Sequence, residues 1–314
     1  MKYIQLGTTD LRVSAVAFGC MSLIPEKAEQ GKAALLRAYE LGINFFDTAD
    51  VYSGGQSEVI VGKALRQGKI ARADVVIASK CGIVFQGMNE AYTYKAYDLS
   101  PAYITDSCEA SLKRLGVDYI DLYQPHRIDY LTHPEETARA LERLKDAGKI
   151  RHVGVSNYTV DEIRALSAYI RVESLQTQFS LLHLEPLETG LASVCLEKKM
   201  NVLCWSPLHR GVLTGRRELP HNDWQLQREA GVVDQLKPFA EKYSVTLGEL
   251  SLSWLIQLPG VIPLVGTADA QHIAEAAAAA EVALARDDWY ELMVIARGHP
   301  MPWGQRPYVY VKER

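Results

Sequence analysis

The chain has 314 residues, 48% of them hydrophobic and 23% charged, with 22 glycines and 13 prolines. This excludes a disordered, collagen-like or low-complexity chain. Its 34 Lys and Arg against 38 Asp and Glu leave a net charge of −4, so nothing in the totals points to nucleic acid. No uncharged apolar run approaches the roughly 18 residues of a membrane helix. The start, Met1 to Gly7, has no apolar stretch behind its lysine and does not read as a secretory leader. The five cysteines (Cys20, Cys81, Cys108, Cys195, Cys204) show neither CxxC nor zinc spacing, which suits reduced thiols packed in a core and a cytoplasmic protein.

In chain order, Tyr3–Leu6 and Arg12–Val13 flank the turn residues Thr8-Thr9-Asp10 and predict an opening hairpin. Apolar runs then predict strands at Ala15–Phe18, Asn44–Phe46, Val75–Ser79, Tyr119–Tyr123, His152–Val155, Ser174–Gln176, Asn201–Cys204 and Val261–Val265. Between them, Ala33-Leu35-Leu36-Ala38-Tyr39, Ile60-Val61-Ala64-Leu65, Ile104-Cys108-Leu112-Leu115 and Ala138-Leu141-Leu144 carry apolar residues at helical spacing. The Ala-rich stretch from Ala274 to Ala285, broken by Glu275 and Glu281, reads as a surface helix. Eight strands alternating with helices predict a (β/α)8 TIM barrel, with residues 1–314 as a single domain. An open doubly wound sheet would want a GxGxxG fingerprint after its first strand, where this chain has Gly19-Cys20-Met21-Ser22.

In such barrels the chemistry gathers where strands end. The second strand ends at Asp47, with Tyr52 in the following loop. The third ends at Lys80, the fourth at His126, the fifth at Ser156-Asn157, the sixth at Gln176 and the seventh at Trp205-Ser206. Taken singly, Lys80 reads as a solvated strand end, Asp47 as a turn or cap residue and His126 as a structural histidine. Together on one rim they suit protonation of an oxygen that is gaining negative charge. A lysine ammonium beside a tyrosine lowers the phenol's pKa, a carboxylate keeps the lysine charged, and a neutral histidine orients a carbonyl. No Ser or Cys has an adjacent base, so the carbon is to be attacked by an imported group, and a nicotinamide hydride fits.

These segments resemble the aldo-keto reductase superfamily over nearly the whole chain. The resemblance rests on GINFFDTADVYSGGQSE (Gly42–Glu58), VVIASKCG (Val75–Gly82), GVDYIDLYQPHR (Gly116–Arg127), GKIRHVGVSNY (Gly148–Tyr158) and NVLCWSPLHRGVLTG (Asn201–Gly215). The finer resemblance is to bacterial general-stress and YdhF-like oxidoreductases. It implies an NAD(P)H-dependent reductase of aldehydes and ketones in which Tyr52 is the proton donor, Lys80 lowers its pKa, Asp47 pairs with Lys80 and His126 orients the carbonyl. It further implies that Ser156, Asn157 and Gln176 hold the nicotinamide carboxamide. Trp205 would stack on the ring, where relatives more often have tyrosine. Ser206, Leu208 and Gly211 would meet the pyrophosphate, and Gly266 and Thr267 the adenosine end.

One departure concerns the cofactor. NADPH users of this family usually place a cation just after the glycine that ends the last strand, and another a few residues on. Here Asp269 and His272 stand in those places. A carboxylate repels a 2′-phosphate and suits a free ribose diol, whereas Arg210, Arg216 or Arg217 could reach a phosphate from the seventh loop. Asp269 as a plain helix cap is the structural alternative. The expectation is NADP(H) narrowly ahead of NAD(H). Substrate-shaping segments are expected at Gly82–Pro101 (with Phe85, Met88, Tyr92, Tyr94 and Tyr97), around Arg127–Thr132, and in a C-terminal tail over the active site bearing Met301, Trp303 and Tyr308. Arg127 is the obvious cation there. The partner expected is a small carbonyl compound, with no nucleic acid and no membrane, and oligomeric state is not readable. Two other readings are a non-catalytic nicotinamide-binding regulatory subunit on this fold, and a metal-dependent hydrolase or lyase using Asp47, His126 and Glu58. No metal site is expected.

Overall fold

Successive residues of a strand face opposite ways, and in this chain that alternation builds two apolar layers around one sheet. The structure, a computed structural model, describes residues 1–85, 95–216 and 224–299. Its strands are β1 (Ala17–Gly19), β2 (Phe45–Asp47), β3 (Val76–Cys81), β4 (Ile120–Pro125), β5 (Ile150–Val153, continued at Val155–Ser156), β6 (Ser174–Gln178), β7 (Asn201–Trp205) and β8 (Val261–Val265). All pair in parallel in chain order. The first half of β5 pairs with β4 and the second with β6, and β8 returns to β1 through Leu264 opposite Ala17 and Val265 opposite Phe18. The break in β5 falls at Gly154, where a Cβ would come within 2.3 Å of Ser174 Oγ. The expected eight-strand barrel is therefore what forms, each strand within a few residues of its expected bounds.

Ala17, Phe45, Val76, Ala78, Leu122, Leu203, Ile262 and Leu264 face the barrel interior, joined by Leu6, Leu11 and Val13. The opening hairpin forms as expected, Tyr3–Gln5 against Arg12–Ser14, and its apolar side joins this interior cluster. Phe18, Phe46, Ile77, Tyr123, Cys204 and Val265 face outward under the helices. Those helices include α1 (Ala28–Glu40), α2 (Gln56–Gln67), α3 (Pro101–Leu115), α4 (Pro134–Asp146), α5 (Val160–Ser167), α6 (Leu191–Glu197), α7 (Trp224–Asp234), α8 (Leu247–Ile256), α9 (Ala270–Ala279) and α10 (Arg286–Arg297). Their starts are set locally. Ser100 caps α3 ahead of Pro101, and Thr159 with Glu162, and Thr246 with Glu249, close reciprocal capping boxes on α5 and α8.

The Ala-rich stretch differs from expectation in two ways. Its helix, α9, stops at Ala279, and Ile273, Ala276 and Ala279 are buried, because the small side chains let it lie close on α8 and α1. The five cysteines are all free and buried. No helix among the described residues is long and apolar enough to cross a membrane. The expected tail with Met301, Trp303 and Tyr308 lies outside the described residues, as do Met88, Tyr92, Tyr94 and Arg217.

Candidate active site

The inward register that puts Phe45, Ala78, Leu122 and Leu203 in the barrel core puts the residues two further on, Asp47, Lys80, Gln124 and Trp205, inward at its C-terminal end. Lys80 is fully buried. Its Nζ donates to Asp47 Oδ1 at 2.7 Å, to the Thr48 carbonyl at 2.7 Å and to Tyr52 Oη at 3.2 Å. The three donors of the ammonium are thus all engaged. Asp47, also buried, accepts on Oδ2 from Gln176 Nε2 at 2.7 Å and Gln124 Nε2 at 3.4 Å. Burial pulls the Lys80 pKa down, but Asp47 and Tyr52 together more than offset it and push it up to about 12. Lys80 is therefore a fixed cation.

Tyr52 opens a turn in which Ser53, Gly54 and Gly55 all adopt positive φ, and this turns the phenol back toward the strand ends. The expected lowering of its pKa is not what the geometry produces. Burial raises the Tyr52 pKa and outweighs the downward pull of Lys80. The phenol holds its proton at neutral pH, with the ammonium placed to compensate the charge left when the proton goes. His126 follows β4, anchored by its backbone N–H to the Cys81 carbonyl at 2.8 Å. Its ring meets the Tyr52 ring edge-on, with centroids 6.0 Å apart. Burial, and then Lys80, Arg127 and Lys95, hold its pKa well below 6.5, so it is an uncharged imidazole, and its buried Nδ1 has no hydrogen-bond partner among the described residues.

The residues expected at the nicotinamide are tied to one another. Asn157, at φ +59°, donates to Ser156 Oγ at 2.8 Å and to the His126 carbonyl at 3.3 Å, and accepts from Trp205 Nε1 at 3.0 Å. Gln176 donates its amide N–H to Asp47 Oδ2. After β7, Ser206, His209, Arg210 and Gly211 all have positive φ, with Leu208 between them. After β8, Gly266 packs against Gly19, where a Cβ would lie 3.1 Å from its carbonyl. Asp269 Oδ1 accepts from Gln271 N at 2.8 Å as the cap of α9, Thr267 Oγ1 accepts from Asp269 N, and His272 sits 3.5 Å from Thr267 Oγ1. The cap alternative for Asp269 is thus realised. The rim from β4 to β8 fits a dinucleotide: a histidine nitrogen with no partner among the described residues beside Tyr52, a part-exposed indole, and glycine-lined backbone at the far end.

Several residues escape a reading of strand ends. Gln124 was open to prediction, since it follows the inward Leu122 by two. Lys95 adds a third cation acting on His126, with its Nζ 5.5 Å from the Phe85 ring centroid. Asp50, on the loop between Asp47 and Tyr52 in sequence, is buried against α3, accepting on Oδ2 from Ser107 Oγ at 2.8 Å while Oδ1 has no partner among the described residues. Glu58, considered as a metal ligand, instead accepts from Ser79 Oγ and Arg114 Nε, both at 2.6 Å.

A sequence model of the aldo/keto reductase family matches residues 15–296. The chain is 35% identical over 309 residues to a 6-dehydroglucose reductase of Novosphingobium aromaticivorans, covering 95% of this chain and 96% of the relative. It is 34% identical over 318 residues to an NADH-specific methylglyoxal reductase of Escherichia coli, covering 92% and 96%. Among solved structures it superimposes on a glycerol dehydrogenase from Gluconobacter oxydans with a TM-score of 0.85 at 27% identity, covering 97% and 98% of the two chains.

Proposed function

The chain belongs to the aldo/keto reductase family and is an oxidoreductase of carbonyl compounds that uses a nicotinamide cofactor; from that premise we propose that Tyr52 is its proton donor, served by Lys80, Asp47 and His126. The observation that carries this reading is the single ammonium of Lys80 held by Asp47 Oδ1 and the Thr48 carbonyl and donating to Tyr52 Oη.

A nicotinamide cofactor held by the residues at the strand ends would, when bound, supply the hydride that the carbonyl carbon gains. As negative charge grows on the carbonyl oxygen, Tyr52 Oη gives up its proton to it. The phenolate left behind faces the Lys80 ammonium at a 3.2 Å hydrogen bond. Asp47 keeps Lys80 charged, and Gln176 and Gln124 hold Asp47 in place. His126, uncharged, offers a ring N–H to the substrate oxygen and so fixes which lone pair meets Tyr52. The aldehyde or ketone becomes an alcohol, having gained one hydride and one proton. In the reverse direction the phenolate is the base.

At the cofactor, Ser156, Asn157 and Gln176 are assigned the carboxamide and Trp205 the ring. Ser206, Leu208 and Gly211 are assigned the pyrophosphate, and Gly266, Thr267, Asp269 and His272 the adenosine end. Gln176 shares the barrel mouth, with its N–H directed to Asp47. Residues 1–314 are read as one such barrel domain. Asp269, already capping α9, offers no cation to a 2′-phosphate, and that role falls to Arg210 or Arg216 of the seventh loop. The reading is acceptance of both cofactors, with NADP(H) ahead of NAD(H). The test compares kcat/KM for NADPH and NADH in methylglyoxal reduction. A tenfold preference for NADH, equivalent to about 1.4 kcal/mol, would overturn the order given.

A further inference from the structure

The stretch after β7 holds three consecutive left-handed residues, His209 (φ +48°), Arg210 (φ +55°) and Gly211 (φ +91°). Only the glycine adopts that conformation without cost. Such a backbone persists where its surroundings over-determine it, and residues held this way gather at ligand sites. The turn is closed on itself by its own backbone, the His209 N–H donating to the Ser206 carbonyl and the Gly211 N–H to the Leu208 carbonyl, both at 2.9 Å.

The side chain of His209 supplies the surroundings. It is buried, with Nε2 2.7 Å from Glu229 Oε2 on α7 and Nδ1 3.3 Å from the buried Ser180 Oγ after β6. The Glu229 carboxylate is thus in close polar contact with Nε2, and Nδ1 lies within hydrogen-bond reach of the serine hydroxyl. Both ring nitrogens face a polar group of another element. Val212 and Leu213, just beyond, are buried in the same apolar cluster as Val233 of α7. The turn is thereby fastened to the body of the protein from both sides.

We propose that His209 is a positioning residue for the cofactor: its contacts with Ser180 and Glu229 hold the left-handed turn in the shape assigned to the cofactor's pyrophosphate. The proposal rests on the reading that this turn meets the pyrophosphate. His209 touches no reacting atom. Its effect falls on affinity, equally for NADPH and NADH because the pyrophosphate is common to both.

The test uses the full chain with His209→Ala and, separately, Glu229→Gln, which keeps the shape of the side chain and removes its charge. Dissociation constants are measured for NADPH, NADH and reduced nicotinamide mononucleotide, and single-turnover reduction of methylglyoxal is followed at saturating dinucleotide. Each variant is expected to bind both dinucleotides about tenfold more weakly (roughly 1.4 kcal/mol), with their affinity ratio unchanged. The mononucleotide, which has no pyrophosphate, binds as to wild type, and the saturated rate stays within about twofold. Unchanged dinucleotide affinity in a folded Glu229→Gln protein would overturn the proposal. So would weakening confined to NADPH, or equal weakening of the mononucleotide. A wild-type protein that binds neither dinucleotide would remove the underlying cofactor reading itself, which separates that failure from failure of the clasp.

Discussion

Asp50 makes the stability of this protein depend on pH in a way that can be computed in advance. Its carboxyl is 5% exposed, takes one hydrogen bond from Ser107 on α3, and leaves Oδ1 without a partner among the described residues. The nearby guanidinium of Arg114 is bonded to Glu58. Burial first, and Glu58 with it, push the Asp50 pKa from 3.8 up to about 7, against the Ser107 bond and Arg114. Between those two pH values the folded chain keeps a proton that the unfolded chain releases, so stability falls as pH rises through the window and the loss is complete above it. About three pH units at 1.36 kcal/mol each come to about 4 kcal/mol, of which more than half accrues between roughly pH 5 and pH 8. Asp50→Asn keeps an acceptor for Ser107 and removes the titration. Urea unfolding of both proteins at the two pH values should show the variant gaining roughly 2–3 kcal/mol on wild type from the lower to the higher. Parallel pH dependences in the two proteins would refute the reasoning.

Three further outcomes follow from the same geometry. With its pKa held well below 6.5, His126 is neutral throughout the working range, so kcat/KM for reduction should be flat from about pH 6 to 8 and fall about tenfold or more in His126→Gln; a limb near pH 6.5 that disappears in this variant would contradict the assignment. Lys80→Met leaves the Asp47 carboxylate buried without its cation and should cost about 3–5 kcal/mol in urea unfolding, with Asp47→Asn in the same chain restoring part of it; additive losses would mean that the pair is not coupled. A Cβ on Gly62 of α2 would lie 2.1 Å from the Leu115 carbonyl at the end of α3, so Gly62→Ala should destabilise by about 2–3 kcal/mol, and an unchanged unfolding midpoint would refute that packing.

The barrel and the inward placement of Asp47 and Lys80 are legible in the sequence because the same alternation governs core and site. Phe45 and Asp47, or Ala78 and Lys80, share one face of one strand, and an apolar run ending in a polar residue records that fact. The conformational and electrostatic consequences are less legible. Lys80 beside Tyr52 suggests a lowered phenol pKa, but the burial that reverses the direction exists only once the barrel closes around both. Asp50 looks like an ordinary turn residue until Ser107, 57 positions away, packs over it. Asp269 is an acid in a place where a cofactor-binding cation was awaited, and its side chain is engaged by the backbone of α9. The chain from Ser180 through His209 to Glu229 joins three separate segments, and nothing local in any one of them announces it.

The central claim is that the proton reaching the substrate comes from Tyr52. Tyr52→Phe keeps the ring against His126 and removes only the hydroxyl that Lys80 holds. The account predicts that this variant binds NADPH with wild-type affinity while single-turnover reduction of methylglyoxal falls by about 10² or more. A wild-type rate in Tyr52→Phe would contradict it.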